Sequence, residues 1–287
     1  MFIPIPVGKG VSTAIEKLSS AIGTVYGPCH TRNVAKAEAD AAKIKKQGEL
    51  EVEELERRTR CRIQLQDAYH QRNLENIIHE AASLMDDNAK PEAIEPDWMA
   101  NFLRKAEGIS DDEMQNLWAR VLAGKSNNPG TFSRRTVNLL ADLDKDDAEK
   151  FANLCRYLWY DFKGERYPMI FDIGEPIYKE HGLDYSTLLH LETIGLIQLA
   201  QGSLFAKSFD SQIAMLMYDN NQLVALREGV SAQMKIGRVL LTKTGQELSH
   251  VCKFEPVEGY FDYIFNYPDL YVNSDDGSVE YQQMPVF

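Results

Sequence analysis

Residues 49–62 read Glu-Leu-Glu-Val-Glu-Glu-Leu-Glu-Arg-Arg-Thr-Arg-Cys-Arg, an acidic block followed at once by a basic one. They lie inside a stretch, 31–85, that has no proline and in which Gly48 is the only glycine. Ala, Glu, Lys, Arg, Gln and Leu dominate it, and all are good helix formers. The stretch therefore predicts one long helix over 31–85, reaching roughly 80 Å if unbroken. Its start, 36–43, is alanine-rich and charged; its end becomes apolar on one face through Leu74, Ile77, Ile78, Ala81, Ala82 and Met85. Between these, Ile44, Leu50, Val52, Leu55, Ile63 and Leu65 keep no clean heptad, which argues against an ordinary two-stranded coiled coil. A polar helix of this length needs neighbours or many charge pairs. Glu rows facing Arg rows of adjacent copies supply both, so self-association is expected, with a solvated helix inside a monomer as the alternative. The cluster Arg57, Arg58, Arg60 and Arg62 is then a set of pairing residues.

Working outward, residues 9–25 form a second candidate helix. Val11, Ile15, Leu18, Ile22 and Val25 recur at three- and four-residue steps, and Gly27-Pro28 ends the segment. Ile15, Leu18 and Ile22 are read as contacts to the rest of the chain, to a neighbouring copy or to a membrane interface; Lys9 and Lys17 give little basic anchoring for the last. On the other side, Asp86–Pro96 is a polar linker, and 97–160 reads as a helical bundle. Asp97-Trp98-Met99-Ala100-Asn101-Phe102-Leu103 opens one helix, and Ser110-Asp111-Asp112-Glu113 is a capping box for the next, which Gly124–Thr131 breaks. A third follows Ser133 or Thr136. Asp144-Lys145-Asp146-Asp147 caps a fourth carrying Phe151, Leu154, Cys155, Leu158 and Trp159. From 168 the texture becomes mixed, with strands expected at Ser203–Phe209, Ile213–Tyr218, Leu223–Leu226 and Val239–Thr242, and another near Phe261–Tyr267. The fold class is mainly α with a smaller α+β part. The domains expected are an amphipathic helix (1–28), a long charged helical arm (29–90), a helical bundle (91–165) and a terminal α+β domain with an acidic aromatic tail (166–287).

The net charge of −12 is unevenly spread: residues 1–85 hold 12 Lys/Arg against 11 Asp/Glu, which leaves −13 for the rest. A body this acidic disfavours broad nucleic-acid binding. Cys29, Cys61, Cys155 and Cys252 are scattered without a CxxC, as expected of ordinary thiols in a reducing cytoplasm. No stretch approaches the length of a transmembrane helix.

Two patterns resemble known families. Ile109-Ser-Asp-Asp-Glu-Met-Gln-Asn-Leu-Trp-Ala-Arg-Val-Leu-Ala123, Pro129-Gly-Thr-Phe-Ser-Arg-Arg-Thr136, Arg72-Asn-Leu-Glu-Asn-Ile77 and Asp97-Trp98 resemble a bacterial family of uncharacterised proteins, similar in style to the abortive-infection alpha proteins of phage-defence loci. That resemblance covers roughly 25–160 and implies no catalytic residue. Leu188-Leu-His-Leu-Glu-Thr-Ile-Gly-Leu-Ile197 with Gly237-Arg-Val-Leu-Leu-Thr-Lys-Thr-Gly-Gln-Glu-Leu248 resembles a winged-helix arrangement, in which Gly195 lets the chain leave its helix in a left-handed turn and a Thr/Gly pair opens the closing helix. Such domains place a helix in the DNA major groove. Here that helix offers Asp184, His190 and Glu192 and no Lys or Arg, which favours a protein contact.

The residues carry no recognised catalytic, cofactor or metal motif. His79-Glu80 has no partner histidine at ligand spacing. Asp144, Asp146 and Asp147 lack the glycine and distal glutamate of a calcium loop and read as helix caps. Asp172 and Glu175 read as surface carboxylates. Arg134 and Arg135, beside Pro129-Gly130 at a helix start, are the best local anion contact. The reading is a non-enzymatic, self-assembling interaction or effector protein of antiphage defence, cytoplasmic or peripheral to the inner membrane, with a homo-oligomer and a protein partner expected. A DNA-binding winged-helix regulator, an enzyme with an unrecognised site and a membrane-acting oligomeric toxin using 9–25 stay open beside it.

Overall fold

The computed structural model describes residues 15–18, 49–208, 213–219, 221–226, 233–267 and 280–285. They form an α-rich α+β architecture whose two compact units divide between Asp142 and Leu143. The expected boundary was 165/166, so the helix read as the fourth of the bundle belongs to the second unit.

The first unit is helical: α1 (Glu49–Ser83), α2 (Pro96–Ala106), α3 (Asp112–Asn127) and α4 (Arg134–Asp142). Helix α1 is the described part of the predicted 31–85 helix; residues 31–48 lie outside the described set. Its last third packs on α3, burying Leu74, Ile77, Ala81 and Ala82 on the apolar face the sequence marks. Polar groups fix that register. Buried Asn73 donates to the Glu107 carbonyl (2.9 Å), and Gln115 donates to the Ile109 carbonyl (2.8 Å) and lies 3.4 Å from Asn73 Oδ1. Trp98 stacks on Phe102, which meets Trp118 edge-on; all three are buried. Each such side chain contributes about 1.5–3 kcal/mol on leaving water.

Two local expectations need correction. Asp111, not Ser110, caps α3, accepting the Glu113 and Met114 amides, because its carboxylate reaches both. And α3 does not break at Gly124 but runs on to Asn127. The glycine is there for packing: a Cβ would stand 2.7 Å from the Phe132 ring. Lys125, buried beneath that loop, donates to the Pro129 and Thr131 carbonyls and lies over the Trp98 ring.

The second unit begins with α5 (Lys145–Cys155), then β1 (Leu158–Tyr160), β2 (Arg166–Pro168), α6 (Pro176–Lys179), α7 (Tyr185–Thr193), β3 (Ile197–Leu199), β4 (Phe205–Ser208), β5 (Ile213–Tyr218) and β6 (Asn221–Leu226). It closes with β7 (Gln233–Gly237), β8 (Val239–Leu241), α8 (Lys243–Ser249), α9 (Tyr260–Phe265) and β9 (Glu280–Pro285). The sheet β2-β1-β5-β6-β9 is antiparallel, and β3–β8 and β4–β7 form separate antiparallel pairs. Leu158 and Trp159, expected on a helix, lie on β1, because α5 ends at Cys155. The strand expected near Phe261–Tyr267 is helix α9. It starts from Gly259 at φ 74° and buries Tyr260, Phe261 and Ile264 at helical spacing, so packing overrides the strand preference of its aromatics. Tyr260 donates to the Met169 carbonyl (2.7 Å) amid Tyr157, Trp159, Tyr178 and Tyr218.

Among the described residues no helix is long and apolar enough to cross a membrane.

A Cβ at Gly245 would stand 2.1 Å from the Leu196 carbonyl oxygen, a backbone atom that cannot swing away. Gly245→Ala is therefore expected to destabilise the second unit by about 3 kcal/mol or more. Urea unfolding followed by tryptophan fluorescence measures it; a loss under about 0.5 kcal/mol would contradict this packing.

Candidate functional site

Helix α7 leaves two large apolar side chains, Tyr185 and Leu189, exposed on the second unit. Asp184 caps it, accepting the Thr187 amide at 2.7 Å. Thr187, Leu188 and Leu191 point inward. Tyr185 (62% exposed), Leu189 (47% exposed) and Thr193 recur at four-residue steps on the outer face, and no Lys or Arg lies on the helix. The chain leaves α7 through Gly195 at φ 83°, the left-handed exit its sequence implies. It then enters β3, which pairs with β8 from Ile197↔Leu241 to Leu199↔Val239. Thr242 closes the loop: its hydroxyl contacts the Gly195 and Leu196 carbonyls, and its oxygen caps α8 at the Gly245 amide (3.1 Å).

At the inner edge of α7, His190 Nε2 lies 2.5 Å from Asp147 Oδ1. Asp147, the third residue of α5, also closes a capping box: its own amide donates to Asp144, and its Oδ2 accepts the Asp144 amide. Burial by itself would raise the Asp147 pKa, but the hydrogen bonds from His190 and the Asp144 amide outweigh it and hold the carboxyl below its ordinary range. Asp144, Asp146 and Asp147 bring carboxylate oxygens within 4.8 Å of one another. Their contacts are those of a helix start: Asp144 and Asp147 close the box, and Asp146 pairs with Lys150.

A second polar cluster sits on the β1–β2 turn. Asp161 accepts the Lys163 and Glu165 amides through Oδ1. Its Oδ2 lies 3.0 Å from Lys207 Nζ, which is also 3.0 Å from Glu165 Oε2 and contacts the Tyr167 hydroxyl. Burial pushes the Tyr167 hydroxyl pKa up, and the two carboxylates add to the shift. Burial opposes charge on Lys207, but the two carboxylates outweigh it and raise its pKa. One lysine thus neutralises a buried aspartate and ties β4 to the turn.

The residues singled out in the sequence occupy separate places. Arg57, Arg58 and Arg60 pair within α1, Arg57 and Arg58 with Glu54 (2.8 and 3.8 Å) and Arg60 with Glu56 (3.3 Å). Arg62 is exposed on the same helix. Leu18 is fully buried and Ile15 half-buried on a helical turn at 15–18, while Ile22 lies outside the described residues. Arg134 and Arg135 are exposed on the first turn of α4, whose Thr136 amide is 3.3 Å from Ser133 Oγ. Asp172 accepts the Gly174 amide in a turn. The His190–Asp147 pair and the Lys207 cluster escape sequence reasoning, because each brings together residues forty or more apart.

A family model described as "Protein of unknown function (DUF2806)" matches residues 57–265, well over half of the chain. No curated protein and no solved structure matches.

Because the Asp147 pKa is lowered by folding, its contribution is present at neutral pH and lost as pH falls through and below the ordinary carboxylate range. His190→Ala is expected to cost about 1 kcal/mol at pH 7. The difference from the parent should shrink as pH falls below that range, read from urea midpoints across pH. A difference independent of pH would count against the pairing.

Proposed function

We propose that the chain, which belongs to the family described as Protein of unknown function (DUF2806), is a self-assembling interaction protein of the abortive-infection kind of antiphage defence. In this reading it acts in the cytoplasm by binding a protein partner rather than by a catalytic site. The observation that carries the reading is the state of α1. From residue 53 to residue 69 nearly every side chain is exposed, including Leu55 (58%), Ile63 (41%), Leu65 (67%) and Tyr69 (39%). A helix polar on all sides, yet carrying large apolar residues on its surface, is suited to packing beside copies of itself. Exposed Glu–Arg pairs contribute little to stability by themselves and serve better to choose a partner.

The partner contact is assigned to α7. Its helix–strand–strand–helix surroundings, with Gly195 and Thr242 at the two turns, support the winged-helix-like reading. Its outer face offers Tyr185 and Leu189, suited to a protein surface, and no cation for a phosphate. Arg134 and Arg135 are assigned as an accessory anion contact. A duplex-DNA regulator is the second reading, supported by the same arrangement and opposed by the −13 carried beyond residue 85. Membrane contact through 9–25 falls largely on residues outside the described set.

Light scattering on the full-length chain at micromolar concentration is expected to give a multiple of 32.6 kDa. Leu65→Glu with Tyr69→Glu should weaken association at least tenfold, about 1.4 kcal/mol. Tyr185→Glu with Leu189→Glu should leave the mass unchanged and abolish protection in a plaque assay. A strict monomer removes the assembly reading; protection that survives the α7 changes removes the partner assignment. Tight duplex binding at physiological salt would favour the DNA reading instead.

A further inference from the structure

The exposed part of α1 has a face that its apolar residues alone do not reveal. Leu55, Arg58, Arg62, Leu65 and Tyr69 follow one another at alternating steps of three and four residues. That is the spacing of a coiled-coil seam, although two of its five positions are arginine. All five are exposed. Glu54 borders Leu55 along this face, and charge along the helix changes sign between Glu56 and Arg57.

We infer that this face of α1 pairs antiparallel with α1 of a second copy of the chain, about a two-fold axis between Glu56 and Arg57. The inference rests on the self-assembly reading and adds to it the orientation and centre of the contact. Charge complementarity selects the orientation. Parallel, in-register pairing would stack Arg58 on Arg58 and Arg62 on Arg62 across the seam and set acidic block against acidic block. Like charges so placed are destabilising. Antiparallel pairing about the sign change sets the acidic block of each copy against the basic block of the other. Leu55 then lies opposite Arg58, whose aliphatic stem can cover it while the guanidinium reaches the nearby Glu54. The two Leu55 side chains come about 4.5 Å apart along the helix axis, three residues of rise, and form the apolar centre. Such a contact is isologous, each copy presenting one surface to the other. The Arg57–Glu54, Arg58–Glu54 and Arg60–Glu56 pairs of the single chain do not oppose it, because exposed pairs of this kind exchange partners at little cost.

Distances between spin labels on the full-length chain test this. Cys61→Ser removes the exposed thiol of α1 and supplies the background from the remaining cysteines; Gln71→Cys or Thr59→Cys is then added singly. Antiparallel pairing puts labels at position 71 about 44 Å apart along the axis and labels at 59 about 8 Å apart, with roughly 10 Å between the helices. A long distance at 71 with a short one at 59 is the expected result. Short distances at both positions mean parallel pairing and overturn the inference, leaving self-assembly standing. An oligomer with long distances at both positions uses another surface and also overturns it. A monomeric mass for the labelled and unlabelled chain overturns the inference together with the assembly reading.

Discussion

The chain leaves α7 at Gly195 and returns to the same point forty-seven residues later at Thr242, and the second unit depends on that closure. The Thr242 amide donates to the Leu196 carbonyl at 3.0 Å, its hydroxyl lies 2.7 Å from the Gly195 carbonyl, and its oxygen starts α8. Only a residue without Cβ fits at Gly245, against the Leu196 oxygen. These contacts bring β3 and β8 into register and fix where α7 lies. They also set which of its sides faces in: Leu188 and Leu191 are consumed by packing, while Tyr185 and Leu189 are left over. A close backbone approach far from any surface contact therefore decides what the surface offers.

The same division runs through α1 by a different route. Its last third is committed to the first unit by apolar packing and by the Asn73–Gln115 contacts, which place polar groups where only one register satisfies them. From residue 53 to residue 68 nearly every described side chain is exposed instead. The charges of α1 are separated into blocks, five Glu over 49–56 and four Arg over 57–62, so the helix is strongly directional. Blockwise charge makes the orientation of any pairing matter.

Buried charge in the second unit is held to the same standard. Lys207 stands among Asp161, Glu165 and Tyr167, and Asp147 is held by His190 and its own cap, so each ion taken from water meets a partner. These clusters stiffen junctions between elements: the β1–β2 turn to β4, and the start of α5 to α7.

Helix α1 from residue 49, the apolar face from Leu74, the cap at Asp144, the left-handed exit at Gly195 and the Thr242–Gly245 helix start are local facts, and the sequence by itself determined them. Each follows from propensity, periodicity or capping within a few residues. Tertiary structure decided the rest. It turned the aromatic run at 260–265 into a helix because three of its residues had to be buried together, and it carried α3 past Gly124 because Phe132 fills the space that glycine leaves. It ended α5 before Trp159 so that β1 could pair with β2 and β5. It also brought His190 to Asp147 and Lys207 to Asp161, pairings that no spacing announces, because burial and electrostatic satisfaction act through space while sequence patterns act along the chain.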